Sequence, residues 1–254
     1  MLIGIFLAQP AFAADPIHIR TTGSGAHCWV LLHPLSMSGK FWDRRAKLLA
    51  EEYKVRVYAP DLPNHGLSGL APRFSYNLAA DSVRAALSPV CPSPRLIIGA
   101  SSGGIVAMKL AARGSSRVAV VGVGWSFTKD NVRSLEAQSR PNADQEKYLR
   151  SYAEEGDAQV KALFKSFQDL AEIGTGPLLT RAERRSLSGR LLIINGSDDA
   201  FFRPDNVKRL NHRIRGSELN ILNGAQHLGP FAEPYATQTW SLIDSFNART
   251  GKRP

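Results

Sequence analysis

Sulfur is scarce in this 254-residue chain, which has two cysteines and three methionines. Neither Cys28 nor Cys91 has a second cysteine or a histidine at metal-ligand spacing, so the sequence offers no structural zinc site and no metal is expected. Acidic residues are also few. Against 32 Lys and Arg stand 22 Asp and Glu, a formal charge of +10. The basic residues are scattered, densest between Arg181 and Arg215, and no aromatic-interleaved stripe or recognition motif accompanies them. A basic surface is therefore expected, with no nucleic-acid partner. No apolar run is long enough to span a bilayer, so no stable membrane insertion is expected. Internal repeats and low-complexity tracts are absent.

The N-terminus carries Met1–Ala8 and then Ala11-Phe12-Ala13-Ala14, an apolar stretch before small residues, as in a secretory signal without its basic leader. Residues 1–14 are read as that signal-like segment, which would place the protein in the periplasm or outside the cell; the alternative is a short mature strand in a cytoplasmic protein.

The length suits one core with an insertion. Cys28–His33 and Val55–Asp61 are compact apolar runs ending at or near prolines, and both read as strands. Between them, Trp42, Ala46, Leu48 and Leu49 recur at helical spacing. The alternation continues with a helix over Tyr76–Leu87, strands at Leu96–Ile98 and Val118–Val123 with a helix over Ile105–Ala112 between them, and strands at Arg190–Asn195 and Glu218–Leu222. A helix over Thr237–Ala248 closes the chain. Such alternation predicts an α/β fold with a largely parallel, buried sheet. From about Ser126 to Ser188 the pattern shifts to polar helices without strands, an expected helical cap over a core formed by residues 15–125 and 189–254.

Gly99-Ala100-Ser101-Ser102-Gly103 stands between an apolar strand and a helix pattern. Small residues two before and two after a serine let the chain turn sharply enough to push its hydroxyl out of the sheet, so Ser101 is the candidate nucleophile. The same turn leaves the Ser102 N–H at a helix N-terminus, where developing negative charge is favoured. A serine needs a base, and the base an orienting acid. His227 lies in a glycine-rich loop after the last strand, and Asp198 and Asp199 end the strand before it.

In its nucleophile–acid–histidine order, the chain resembles the α/β-hydrolase superfamily from about Ile17 to Ala248. That resemblance implies a mostly parallel sheet of the eight-stranded type flanked by helices. The family's spacing from Gly196 selects Asp199 as the acid, with Asp198 as the fallback. His33-Pro34-Leu35 resembles the family's oxyanion loop with Pro34 in place of a glycine, which assigns a second oxyanion donor to Leu35 N–H and a structural role to His33. Asp61–Ser68 resembles a further family turn in which Asn64 replaces a glycine; Asn tolerates positive φ, and His65 reads as a loop residue, with a place at the site entrance as the alternative. Cys28 opens one strand and Cys91 sits a few residues before another, and the resemblance makes these two strands parallel neighbours, so the cysteines would be close enough for a disulfide in an oxidising compartment.

The resemblance implies a serine hydrolase acting on carboxylic esters of small or medium size, without a cofactor, because the chain fills every catalytic role. Lactones, thioesters, amides and carbon–carbon bonds are alternative substrates of the same triad, and a non-catalytic small-ligand-binding protein is the alternative from another class. Trp125, Phe127, Phe164 and Phe167 are candidate substrate contacts, or else packing between cap and core.

Overall fold

A computed structural model describes residues 16–249 of the chain; the signal-like segment 1–14 lies outside them. In chain order the elements are β1 (Ile19–Thr22), β2 (Cys28–Leu32), α1 (Asp43–Tyr53), β3 (Arg56–Pro60), α2 (Tyr76–Leu87), β4 (Leu96–Ala100), α3 (Ser102–Ala112) and β5 (Arg117–Val121). Then come α4 (Lys129–Gln138), α5 (Ala143–Tyr152), α6 (Gly156–Ala171), α7 (Arg181–Ser186), β6 (Leu191–Gly196), α8 (Pro204–His212), β7 (Glu218–Leu222) and α9 (Ala236–Ala248).

The strands form one sheet in the order β1-β3-β2-β4-β5-β6-β7, parallel throughout except for β1, which runs antiparallel to β3 at the edge. The described residues thus hold seven strands rather than the eight-stranded type. The extra edge strand β1, Ile-Arg-Thr-Thr, carries one apolar residue and is only half buried, so it gives no hydrophobic signal.

Side-chain alternation sorts the core into two layers. Val30, Leu32, Ile97, Val118, Val120 and Ile193 point to the face covered by α2, α3 and the insertion. Trp29, Leu31, Ile98, Ala119, Val121 and Ile194 point to the face covered by α1 and α9. With both faces covered, the central strands can be continuous apolar runs, and every residue of β4 and β6 is buried.

The chain lays β3 on one side of β2 and then crosses to β4 on the other. Ligand sites in open α/β sheets form at the carboxyl ends of strands flanking such a reversal. The turn after β2 and the turn after β4 meet there.

All four helices α4–α7 lie between β5 and β6. Three buried polar contacts join α6 to the loop after β3. Asn64 Nδ2 donates to Ser166 Oγ (3.0 Å), Gln159 Nε2 to the Gly66 carbonyl (2.6 Å), and Phe74 N–H to Asp169 (2.7 Å). The short α7 leaves this group and packs on α3, with Lys109 Nζ 3.1 Å from Glu183 and Ser186 Oγ bonded to the Ala112 carbonyl.

Cys28 and Cys91 are bridged, with their Cα atoms 6.1 Å apart and a sequence separation of 63. The bridge ties the start of β2 to the segment entering β4, at the end of the sheet remote from the strands' carboxyl ends. Closing a loop of this length restricts the unfolded chain by about 4 kcal/mol in the loop-entropy account. A Cys28→Ser/Cys91→Ser double variant should therefore unfold in urea several kcal/mol more easily than the oxidised protein. Equal stabilities, or two free thiols in the denatured unreduced protein, would remove the bridge.

Candidate active site

Ser101 occupies a backbone conformation that few residues adopt, φ 51° and ψ −121°, at the junction of β4 and α3. The turn is held from both sides. Ser101 N–H donates to the Val121 carbonyl at 2.8 Å, and Gly103 brings the first turn of α3 so close to β2 that a Cβ there would lie 2.3 Å from the His33 carbonyl oxygen. This contact requires a glycine.

His227 Nε2 lies 2.8 Å from Ser101 Oγ, and its Nδ1 lies 2.9 Å from Asp199 Oδ2. The other Asp199 oxygen accepts from Phe201 N–H (2.9 Å) and Phe202 N–H (2.8 Å), which fixes the buried carboxylate. The arrangement sets the imidazole tautomer: Nδ1–H donates to Asp199, and Nε2 accepts from the serine hydroxyl. Such a line can take a proton from Ser101 and return it to a leaving group. Asp198 is exposed and, among the described residues, its carboxylate accepts only from Ser197 Oγ, outside the site. The structure brings Ser101, Asp199 and His227 together and leaves Asp198 apart.

The loop after β2 is set by two buried histidines. His33 Nε2 accepts from Leu62 N–H (2.9 Å) and its Nδ1–H donates to the Pro34 carbonyl (2.7 Å). His65 Nε2 accepts from Ser36 N–H (3.0 Å) and its Nδ1–H donates to the Pro63 carbonyl (2.7 Å). Leu35 therefore sits between an anchored carbonyl and an anchored amide. Its own N–H, like that of Ser102, has no hydrogen-bond acceptor among the described residues. Burial lowers the His33 pKa to about 4, and burial together with the neighbouring His33 lowers that of His65 to about 3. Both rings are neutral, as each must be to accept a backbone N–H. Sequence reasoning placed His33 as structural but left His65 a plain loop residue; its position in the Asp61–Ser68 turn, opposite the loop after β2, is the signal. Asn64 does take a positive φ, 71°. Asp61 completes the support, accepting from Gly39 N–H, Leu67 N–H and the His18 ring.

A cavity of about 400 Å³ opens over Ser101 and His227. Its walls are largely apolar: Leu35, Met37, Tyr76, Phe127, Leu135, Phe167, Phe201, Phe202 and Leu228, with Gln138, Gln145 and Tyr148 also contributed by α4 and α5. Of the four aromatics expected there, Phe127 and Phe167 line it, whereas Trp125 and Phe164 do not. Trp125 turns toward α8, where its amide bonds Asn206 and its ring packs under Arg184, Arg209 and Arg213 at 4.7, 5.5 and 5.3 Å. Phe164 lies one helical turn from Phe167 on α6 and is spent on core packing. Tyr76, Phe201 and Phe202 escaped the sequence reading. The last two follow Asp199 after Ala200 alone, and their nearness to the acid is the signal that would have found them.

The model of the alpha/beta hydrolase family matches residues 29–237. The chain belongs to the alpha/beta hydrolase family. Serine hydrolase activity is accordingly expected of it. A pimeloyl-acyl-carrier-protein methyl ester esterase of Neisseria meningitidis serogroup A is 29% identical over 229 residues, covering 76% of this chain and 71% of that protein. Among solved structures, a carboxylesterase of Nitrososphaera gargenis superposes with a TM-score of 0.73 at 20% identity, covering 95% and 97% of the two chains. The enol-lactonase of Burkholderia xenovorans LB400 gives 0.69 at 19% identity, covering 92% and 96%. These two likenesses establish the fold. Among the described residues no helix is long and apolar enough to cross a membrane, and no group of three or more His, Cys, Asp or Glu could hold a metal ion.

Two measurements follow from this geometry. Asp199→Asn should lower kcat by about 10⁴, since the wrong imidazole tautomer is then favoured, while Asp198→Asn should change it little; equal losses would overturn the assignment. The histidine pair sets a pH dependence of stability. In the unfolded chain both rings titrate near 6.5, so below that pH the unfolded state binds more protons and stability falls, through about pH 4 for His33 and about pH 3 for His65. Each ring contributes a slope of up to about 1.4 kcal/mol per pH unit in its window. Urea unfolding between pH 7 and 5 should thus show a steeper loss for the wild type than for His65→Gln; identical slopes would contradict two neutral buried rings.

Proposed function

We propose that this protein hydrolyses carboxylic esters of small or medium size through an acyl-enzyme on Ser101. The observation that carries this reading is the unbroken hydrogen-bonded line Ser101–His227–Asp199 beneath an apolar cavity. His227 takes the serine proton as Oγ attacks the acyl carbonyl. Asp199 holds the imidazole and stabilises the imidazolium. The carbonyl oxygen, now negative, accepts from Leu35 N–H and Ser102 N–H, which are set by the histidine-braced loop and by the helix N-terminus. His227 then gives its proton to the departing alcohol, and water repeats the attack on the acyl-enzyme. The chain supplies every one of these groups, so the reaction needs no cofactor.

The relatives support an ester-type substrate, and the aromatic walls suit an apolar acyl group. Small-molecule esters are the proposed partners. Export to the periplasm or beyond is also proposed, supported by the signal-like residues 1–14 and by the Cys28–Cys91 bridge, since disulfides persist in oxidising compartments.

Ser101→Ala should stay folded, lose about 10⁴-fold or more in turnover of chromogenic esters, and escape labelling by a fluorophosphonate. Retained labelling would move the nucleophile elsewhere. A wild type that binds esters without turnover would make the protein a small-ligand binder.

A further inference from the structure

Beside the reacting line, the cavity holds a second bonded pair of hydroxyl groups. Ser102 Oγ and Tyr76 Oη lie 3.2 Å apart, and both residues line the cavity while almost completely buried, with relative exposures of 6% and 4%. Neither hydroxyl has another hydrogen-bond partner among the described residues.

Two hydroxyls hold two protons, and only one lies between them. The other is a donor without a protein acceptor. Which hydroxyl carries it follows from acidity: the phenol is the stronger donor and the alkyl oxygen the stronger acceptor, so Tyr76 O–H donates to Ser102 Oγ and the Ser102 proton turns to the cavity. Burial raises the Tyr76 pKa well above its usual value, so the phenol keeps its proton at any working pH. Donation from Tyr76 polarises Ser102 and strengthens its own bond to a third group. Ser102 follows Ser101 directly in the chain, with the two Cα atoms about 3.8 Å apart, so an acceptor bound to its hydroxyl belongs close to the scissile carbonyl.

Resting on the ester-hydrolase reading above, we propose that Ser102 Oγ, oriented by Tyr76, selects esters that carry an oxygen acceptor within a few bonds of the scissile carbonyl. Such substrates are alkoxy-, oxo- or hydroxy-substituted, and an unsubstituted alkyl ester leaves the Ser102 donor unpaired, which disfavours it. Ser102 has two separate functions in this account: its backbone N–H faces the oxyanion, and its side chain reads the substituent. Tyr76 acts as the positioning residue.

The test compares esters in which one ether oxygen replaces one methylene. One pair varies the acyl group, 4-nitrophenyl methoxyacetate against 4-nitrophenyl butyrate. The other varies the alcohol, 2-methoxyethyl butyrate against butyl butyrate. For each pair the ratio of kcat/KM, ether over alkyl, is measured in wild type, Ser102→Ala and Tyr76→Phe, and the intrinsic reactivity difference cancels between enzymes. At least one ratio should fall about two- to tenfold in Ser102→Ala, and by less in Tyr76→Phe, as for loss of one hydrogen bond. A purely structural role would slow both members of a pair together and leave the ratios fixed. Unchanged ratios in a folded, fluorophosphonate-labelled Ser102→Ala enzyme overturn this inference and leave the Ser101 reading standing. A wild type that neither labels nor turns over any of the four esters overturns both.

Discussion

Everything in the site depends on how closely the first turn of α3 approaches β2 and β4. Gly103 lies against the Leu32 and His33 carbonyls with no room for a Cβ, and Ser101, two residues earlier, is forced to φ 51°. A backbone in this region costs on the order of 1–3 kcal/mol for a residue with a side chain. The surrounding sheet offsets that cost, since β4 and the first turns of α3 are almost wholly buried. The strain is useful because it lifts Oγ above the sheet edge and leaves the helix amides facing the same space.

The loop opposite is built on a different principle. Polar contacts define it: two neutral rings, 5.2 Å apart, each donate from one nitrogen and accept at the other. A buried polar network of this kind specifies one conformation when every member is satisfied, and here all four ring nitrogens are. Pro34 fits because the contact its position supplies is a carbonyl, not the N–H that proline lacks.

How much of this could be read from the residues depended on whether local chemistry or distant packing decides each feature. The alternation of strands and helices, the serine turn and the His227 loop follow from short-range patterns, and so their places in the chain were evident. Choosing Asp199 over Asp198 took the offset from Gly196 seen in the family that the chain resembles; in the structure it is Asp199 that lies 2.9 Å from His227 Nδ1. Strand β1 was invisible because pairing with β3 makes it, not hydrophobicity. Trp125 and Phe164 were indistinguishable from Phe127 and Phe167 as letters, since only the approach of α8 and the run of α6 decide which ring meets the cavity. His65 and Tyr76 bond partners 29 and 26 residues away; the turn that holds His65 marks its place, but which groups either side chain meets is decided by distant packing.

The Cys28–Cys91 bridge sits at the foot of β2 and of the segment leading into β4, and these strands pair in parallel from Trp29↔Leu96 to Leu32↔Gly99. Two ribbons fastened at one end cannot slide past each other; they can only splay. Leu35 lies beyond the free end of one ribbon and Ser101 beyond the free end of the other, roughly 17 Å from the fastening for strands of this length. Longitudinal slip would carry the Leu35 amide away from the Ser101 hydroxyl, and the bridge blocks that motion while leaving the mouth of the crevice free to widen. A covalent link that touches no reacting group thus acts as the alignment pin of the site.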